Sequence, residues 1–203
     1  MSYDITELWE LITGLVAAPG DITRRMRKLI DFCASALPHD QWTTLRGIDF
    51  DMDNSRHSAW RADLYAVATT GEKPRGLWFG LANPVRNGNA TLDIYCAARP
   101  NFDSDGIAWA QHIDRSAVRF LGSRVLAEIY SSAYATQDSL GNEAEYPLAL
   151  GFGAMTARAV LEAGPLTASL DQIAGAAIGF DSGDFMYLGE AIGGAFNVRA
   201  RSG

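Results

Sequence analysis

The sequence predicts an α+β fold: a single domain over residues 1–203 in which an antiparallel β-sheet, a meander of about five to seven strands, packs against two N-terminal helices and further helices. Three observations predict it. Between Leu45 and Ala98 side chains alternate in run after run, as in Trp60, Ala62, Leu64 and Ala66 against Arg61, Asp63, Tyr65 and Val67. Leu77, Phe79 and Leu81 repeat the pattern, and so do Leu92, Ile94 and Cys96. A period of two gives each run one apolar face, which suits a sheet packed on one side. Turn chemistry separates the runs, and the chain before Pro38 carries the helical period instead.

Taken in order, Asp4 can cap a first helix whose apolar positions Ile5, Leu8, Trp9, Ile12 and Val16 continue until Pro19-Gly20. A second helix starts at Asp21 and runs through Ile22, Met26, Leu29, Ile30, Cys33 and Leu37. It stops before Pro38, because the residue preceding a proline is pushed out of the helical region. Both helices are expected to cover one face of the sheet. Thr43 to Phe50 reads as the first strand, Asp51 to Ser58 as a polar loop, and Trp60 to Thr69 as the second strand. Gly71-Glu72-Lys73-Pro74 turns the chain into Gly76 to Ala82. Asn87-Gly88-Asn89 then turns it into Ala90 to Ala98, the strongest hairpin signal present. From Asp103 or Ser104, the spacing of Ile107, Ala110, Ile113, Ala117 and Phe120 fits a helix. Arg124 to Ala133 reads as a strand on Val125, Ala127 and Ile129, with an extension of the preceding helix as the alternative. Thr136 to Glu145 is expected to be an exposed acidic loop. Pro147 suits the first turn of a helix that passes Phe152, Met155, Ala159 and Leu161 and stops at Gly164-Pro165. Ala176 to Phe180 and Phe185 to Leu188 flank Asp181-Ser182-Gly183-Asp184 as a last hairpin.

An apolar fraction of 48% with 20% charged residues predicts a soluble globular protein with a packed core, not a disordered or fibrous chain. The net charge of −7 repels phosphate backbones and anionic membrane surfaces, so neither nucleic acid nor membrane is expected as a partner. A basic protein is. The cluster Arg24, Arg25, Arg27 and Lys28 reads as a solvated helix face, since no aromatic residues interleave with it to stack on bases. Cys33 and Cys96 fall on apolar faces and are expected as free buried thiols. Asp4, Glu7 and Glu10 stand where a secretory signal would carry positive charge. The longest uncharged apolar run, Pro147 to Ala157, is shorter than the ~18 residues of a membrane span, and a cytoplasmic protein is expected.

Asp49, Asp51 and Asp53 recur at every second position, so on an extended chain their carboxylates would project together, as a hard cation requires. The calcium-loop pattern fails, with Asn54 at its glycine position and Trp60 at its closing glutamate. The row reads as the charged edge of a strand, and neither a metal site nor a cofactor is expected. Gly151-Phe152-Gly153 with Asp171 mimics a dinucleotide-binding turn, but Thr156 stands where the last glycine or alanine belongs. Those glycines read as packing contacts. Among His39, His57 and His112, His57 is the best candidate base, because Asp53 could raise and orient its imidazole. Signatures of nucleophilic, redox, nucleotide and zinc-protease chemistry are missing from the sequence. Trp78 and Tyr95 point opposite to Leu77, Phe79, Leu92 and Ile94, so either helices cover both sheet faces or an aromatic face stays open.

Acidic residues gather in the last third: Asp181 and Asp184 in the hairpin, Glu190 beyond it, and Glu143 and Glu145 in the preceding loop. These five are the expected docking residues of a cytoplasmic non-catalytic binding protein, in the manner of a bacterial immunity or antitoxin-like inhibitor of a basic toxin. The alternative is a small-molecule enzyme or ligand-binding domain with its site at one end of the sheet, built from Asp51, Asp53 and His57.

Overall fold

In a computed structural model, described for residues 3–68, 75–110, 118–163, 173–180, 183–192 and 195–202, the chain opens with helix α1 (Ile5–Ala17). Of residues 65, 67 and 68 only the backbone is described. The Asp4 carboxylate accepts from the N–H groups of Thr6 at 2.8 Å and Glu7 at 3.3 Å, filling donors that the first turn leaves unpaired. Helix α2 (Ile22–Ala36) is capped in the same way, the Arg24 N–H donating to Asp21 at 2.7 Å, and it ends before Leu37-Pro38.

The next two elements overturn the sequence reading. Thr43 to Phe50 is not a strand: helix α3 (Gln41–Arg46) occupies its first half, burying Trp42 and Leu45 at a spacing of three. Trp60 to Thr69 is not a strand either, because helix α4 (His57–Ala68) runs through it. Trp60 and Leu64 are buried while Ala62 and Ala66, on the same face of an extended chain, are exposed. A spacing of four belongs to both periods, and the alanines carry the highest helix propensity. Asp49, Asp51 and Asp53 therefore lie in turns rather than along a strand edge, with a single 3₁₀ turn at Asn54–Arg56 between them and α4.

Strands β1 (Gly76–Ala82) and β4 (Asp93–Arg99) pair antiparallel, with Phe79 opposite Cys96. Between them the short strands β2 (Val85–Arg86) and β3 (Asn89–Ala90) form their own hairpin. Asn87 and Gly88 turn it with φ of 51° and 80°, the left-handed pair that an Asn-Gly turn supplies. The helix expected from Asp103 is absent over the described part: a 3₁₀ turn stands at Ala108–Ala110 and strand β5 (Arg119–Phe120) follows, while residues 111–117 lie outside the described residues. Arg124 to Ala133 is helix α5, capped by the Ser123 hydroxyl, with Val125, Leu126, Ile129 and Ala133 on its buried side. Helix α6 (Asn142–Glu162) starts well before Pro147 and absorbs the end of the expected acidic loop. Strands β6 (Gly175–Phe180) and β7 (Phe185–Ile192) form the expected last hairpin, and a further strand, β8 (Ala195–Ser202), pairs with β7.

The result is a mixed α/β fold with a six-stranded, mostly antiparallel sheet in the order β5-β4-β1-β6-β7-β8. Its one parallel pair, β1 with β6, joins two antiparallel halves, so the sheet is not one continuous meander. Helix α6 is the centre of the molecule, buried on every side from Ala144 to Ala157. Gly153 lets it approach the sheet, since a side chain there would come within 3.0 Å of Leu81 and Ile178. Gly151 does the same toward Leu29 of α2, at 2.5 Å. Of the N-terminal pair, α1 packs on the sheet at β8 and on α6, while α2 packs chiefly on α6 and α3. Among the described residues, the opposite sheet face is covered by the segment after β4, around Phe102 and Trp109. Phe102 and Trp109 lie over Gly175 and Gly76, where a side chain would collide with their rings; Trp78 packs edge-on against Trp109, and the buried Tyr95 packs against Phe120. Cys33 and Cys96 are free and buried, and burial pushes each thiol up to about 12.

Candidate functional site

Two places in the fold gather the polar side chains singled out above, one at each end of α6. At its N-terminal end, Pro147 has no N–H to donate to the carbonyl of Glu143, four residues back. The Tyr3 hydroxyl donates to that carbonyl instead, so the helix continues through the proline. Glu145 points inward. It is 6% exposed, and its carboxylate accepts from Asn83 Nδ2 at 2.7 Å and from the Tyr134 hydroxyl at 2.6 Å, tying the end of β1 and the end of α5 to α6. The Tyr146 ring stacks on Phe180 at 5.2 Å, with its hydroxyl between the Trp9 indole and the Asp184 carboxylate. Burial first, and Asp184 second, push Tyr146 up to about 12.

This end therefore collects Glu143, near Tyr3, and Asp184, near Trp9 of α1, a helix whose first turn exposes Asp4 and Glu7. Ile5 and Tyr134 add exposed apolar surface, at 41% and 45%. Of the five expected docking residues, Glu143 and Asp184 share this end. Glu145 belongs to the interior, contrary to the exposed loop expected for it, because three segments meet on its carboxylate. Glu190 stands half-buried beside Tyr187, six residues along β7 from Asp184 and roughly 20 Å away on an extended strand. Asp181 lies outside the described residues.

Around the C-terminal half of α6, an open cleft of about 280 Å³ lies between the α1–α2 turn and the start of α4. Asp51 and His57 both line it, together with Asp21, Arg25, Arg158 and Glu162. The His57 ring packs on Trp60 with centroids 5.5 Å apart. Burial lowers its pKa, and Asp53 opposes that effect. Asp53 itself points elsewhere, fully buried against the start of α5. It accepts from the Ser123 hydroxyl at 2.6 Å and from the N–H groups of Arg124 at 3.1 Å and Val125 at 3.2 Å. The expected trio is thus split, two in a cleft among helices and one in a helix cap, and the cleft is not at an end of the sheet.

Sequence reasoning missed several of these groups. Arg25 is buried, not part of a solvated face; only Arg24, Arg27 and Lys28 are exposed. Its position three residues after Ile22 and four before Leu29, on the apolar side of α2, was the available signal. Arg158 is the only charged residue between Tyr146 and Leu161, a similar sign. Asp93 is also buried, accepting from the N–H groups of Ile94, Gly122 and Ser123 and pairing with Arg86, and burial raises its pKa against those bonds. His39 is exposed, its Nε2 3.1 Å from the Asp138 carbonyl, and His112 lies outside the described residues.

Among the described residues, no group of three or more His, Cys, Asp or Glu could hold a metal ion, and no helix is long and apolar enough to cross a membrane. No family model matches the chain, and no curated protein or solved structure matches it either.

Proposed function

We propose that the chain is a binding protein that acts by contact, docking the N-terminal end of α6 on a basic protein partner. The form of that role which its charge favours is a cytoplasmic immunity or antitoxin-like inhibitor of a basic bacterial toxin. The reading rests on one observation: the N-terminal end of α6 places Glu143 near Tyr3 and Asp184 near Trp9, beside helix α1, whose first turn exposes Asp4, Ile5 and Glu7, on a frame held by the buried Glu145. Apolar and aromatic anchors ringed by charge are the anatomy of a protein interface, and a net charge of −7 speeds encounter with a cation of protein size. In this reading Glu145 supports the surface without touching the partner, and Glu190 takes no part.

The test is to co-express the chain with the products of its neighbouring genes and to titrate any basic protein that co-purifies. The double reversal Glu143→Lys/Asp184→Lys is expected to weaken a one-to-one complex by about tenfold or more, with a steeper loss in wild type as salt rises. Recovery of no basic partner, or an affinity indifferent to the reversal, rejects the proposal.

A further inference from the structure

Two arginines from different helices converge on the last turn of α1. Arg25 of α2 donates through Nη1 to the carbonyls of Leu15 and Ala18, both at 3.0 Å, and through Nε to that of Asp21 at 3.3 Å. Arg158 of α6 donates through Nη1 to the carbonyls of Val16 and Ala18, and through Nε to Glu162 at 2.8 Å. Cations offset the negative end of a helix, and a single guanidinium suffices for that. Here both donate to the Ala18 oxygen, at 3.0 and 2.9 Å, so the two nitrogens are no more than about 6 Å apart, a spacing at which cations repel. Arg25 is 8% exposed and the Arg158 side chain 13%, and the nearby carboxylates of Asp21 and Glu162 offset part of that repulsion at Arg25.

Among the described residues, the Nη2 of each guanidinium has no acceptor, and neither Nη2 is sealed from solvent. Both side chains line the 280 Å³ cleft, with His57 across from them on α4. The carboxylates that share the cleft are already engaged: Asp21 caps α2, Asp51 accepts from Asn54 Nδ2 at 2.9 Å, and Glu162 pairs with Arg158. What is missing is an acceptor for either Nη2. We propose that the cleft binds a small molecule through an oxyanion group, a phosphate or a carboxylate, held by the Nη2 groups of Arg25 and Arg158 with His57 as a further donor. Such a group accepts forked hydrogen bonds from guanidinium and relieves the repulsion between the pair. This site stands at the other end of α6 from the docking surface, and neither proposal depends on the other.

The test titrates the full chain with inorganic phosphate and, separately, with acetate, against chloride at constant ionic strength. The readouts are the His57 ring resonances by NMR and the thermal midpoint. A saturable one-to-one shift of His57 with a raised midpoint is expected; response to phosphate alone assigns a phosphate group, and response to acetate alone a carboxylate. Arg158→Met is expected to weaken binding by about tenfold, the loss of a charge-assisted fork. Because Arg158 also ties α1 to α6, His57→Gln serves as a second variant, since the His57 side chain makes no hydrogen bond among the described residues. Its binding, followed by the midpoint, is expected to weaken several-fold. No saturable response to either anion, or a response unchanged in both variants, overturns the proposal.

Discussion

Asp53 is fully buried, and the start of α5 supplies the hydrogen-bond donors that water would. The hydroxyl of Ser123 and the N–H groups of Arg124 and Val125 all donate to it, at the end of the helix where the dipole favours an anion. Asp53→Ala would strand those donors in the interior, and is expected to lower stability by about 2–4 kcal/mol, with Asp53→Asn costing less. Urea unfolding of the three proteins checks this; a loss below about 0.5 kcal/mol for the alanine variant would place the carboxylate in a merely ornamental role. His57 makes a pH prediction of the opposite character. Burial holds its folded pKa below the usual 6.5, so the unfolded chain takes up the proton first as pH falls through that value. Stability attributable to His57 is complete above pH 6.5 and declines below it until the folded pKa is passed. Urea midpoints at pH 7.5 and 5.5 should therefore converge more closely in His57→Gln than in wild type, and an unchanged difference would contradict the assignment. Neither role was legible in the sequence. Depth is a property of three-dimensional neighbours, and Asp49, Asp51 and Asp53 look alike along the chain although only the last is buried.

Helix α6 shows how one element depends on a residue far away in sequence. Pro147 opens a gap in its ladder at the Glu143 carbonyl, and the Tyr3 hydroxyl fills it. Tyr3→Phe keeps the ring and removes that donor, so it is expected to cost about 1–2 kcal/mol in urea unfolding, and equal stability of the two proteins would show the gap to be harmless. In sequence Pro147 suits a first turn, because nothing local announces a donor from the N-terminus. Elsewhere legibility followed side-chain size. Leu77, Phe79 and Leu81 in β1, and Ile94 and Cys96 in β4, alternate strictly and are strands, as expected. Trp60 and Leu64 satisfy both periods, and the small Ala62 and Ala66 were counted as apolar when they are exposed helix formers. In α5 the adjacent pair Val125 and Leu126, both buried after the Ser123 cap, was the helical signal that Val125, Ala127 and Ile129 obscured. Strand β8 alternates Phe196, Val198 and Ala200 with Asn197, Arg199 and Arg201, the period of two that a strand carries.

On the scale of the whole molecule, α6 sets the geography. Its 21 residues span roughly 30 Å, separating the acidic end at Glu143 from the arginine-lined cleft at Arg158. Composition announced the net negative charge, and the hairpin at β6 and β7 that presents Asp184 was read correctly. Grouping acids by sequence position, however, joined Glu145 and Glu190 to a surface that neither shares, since a glutamate on a central helix can face inward to Asn83 and Tyr134 as readily as outward. The proposed docking surface also takes in Asp4 and Glu7, which the sequence separates from Asp184 by nearly the whole chain. Carbodiimide labelling of carboxylates, with and without the basic partner, tests that surface most directly. The account predicts that Asp4, Glu7, Glu143 and Asp184 lose reactivity together in the complex while exposed Asp105 and half-buried Glu190 keep theirs; protection at Asp105 or Glu190 with the first four unchanged would contradict it.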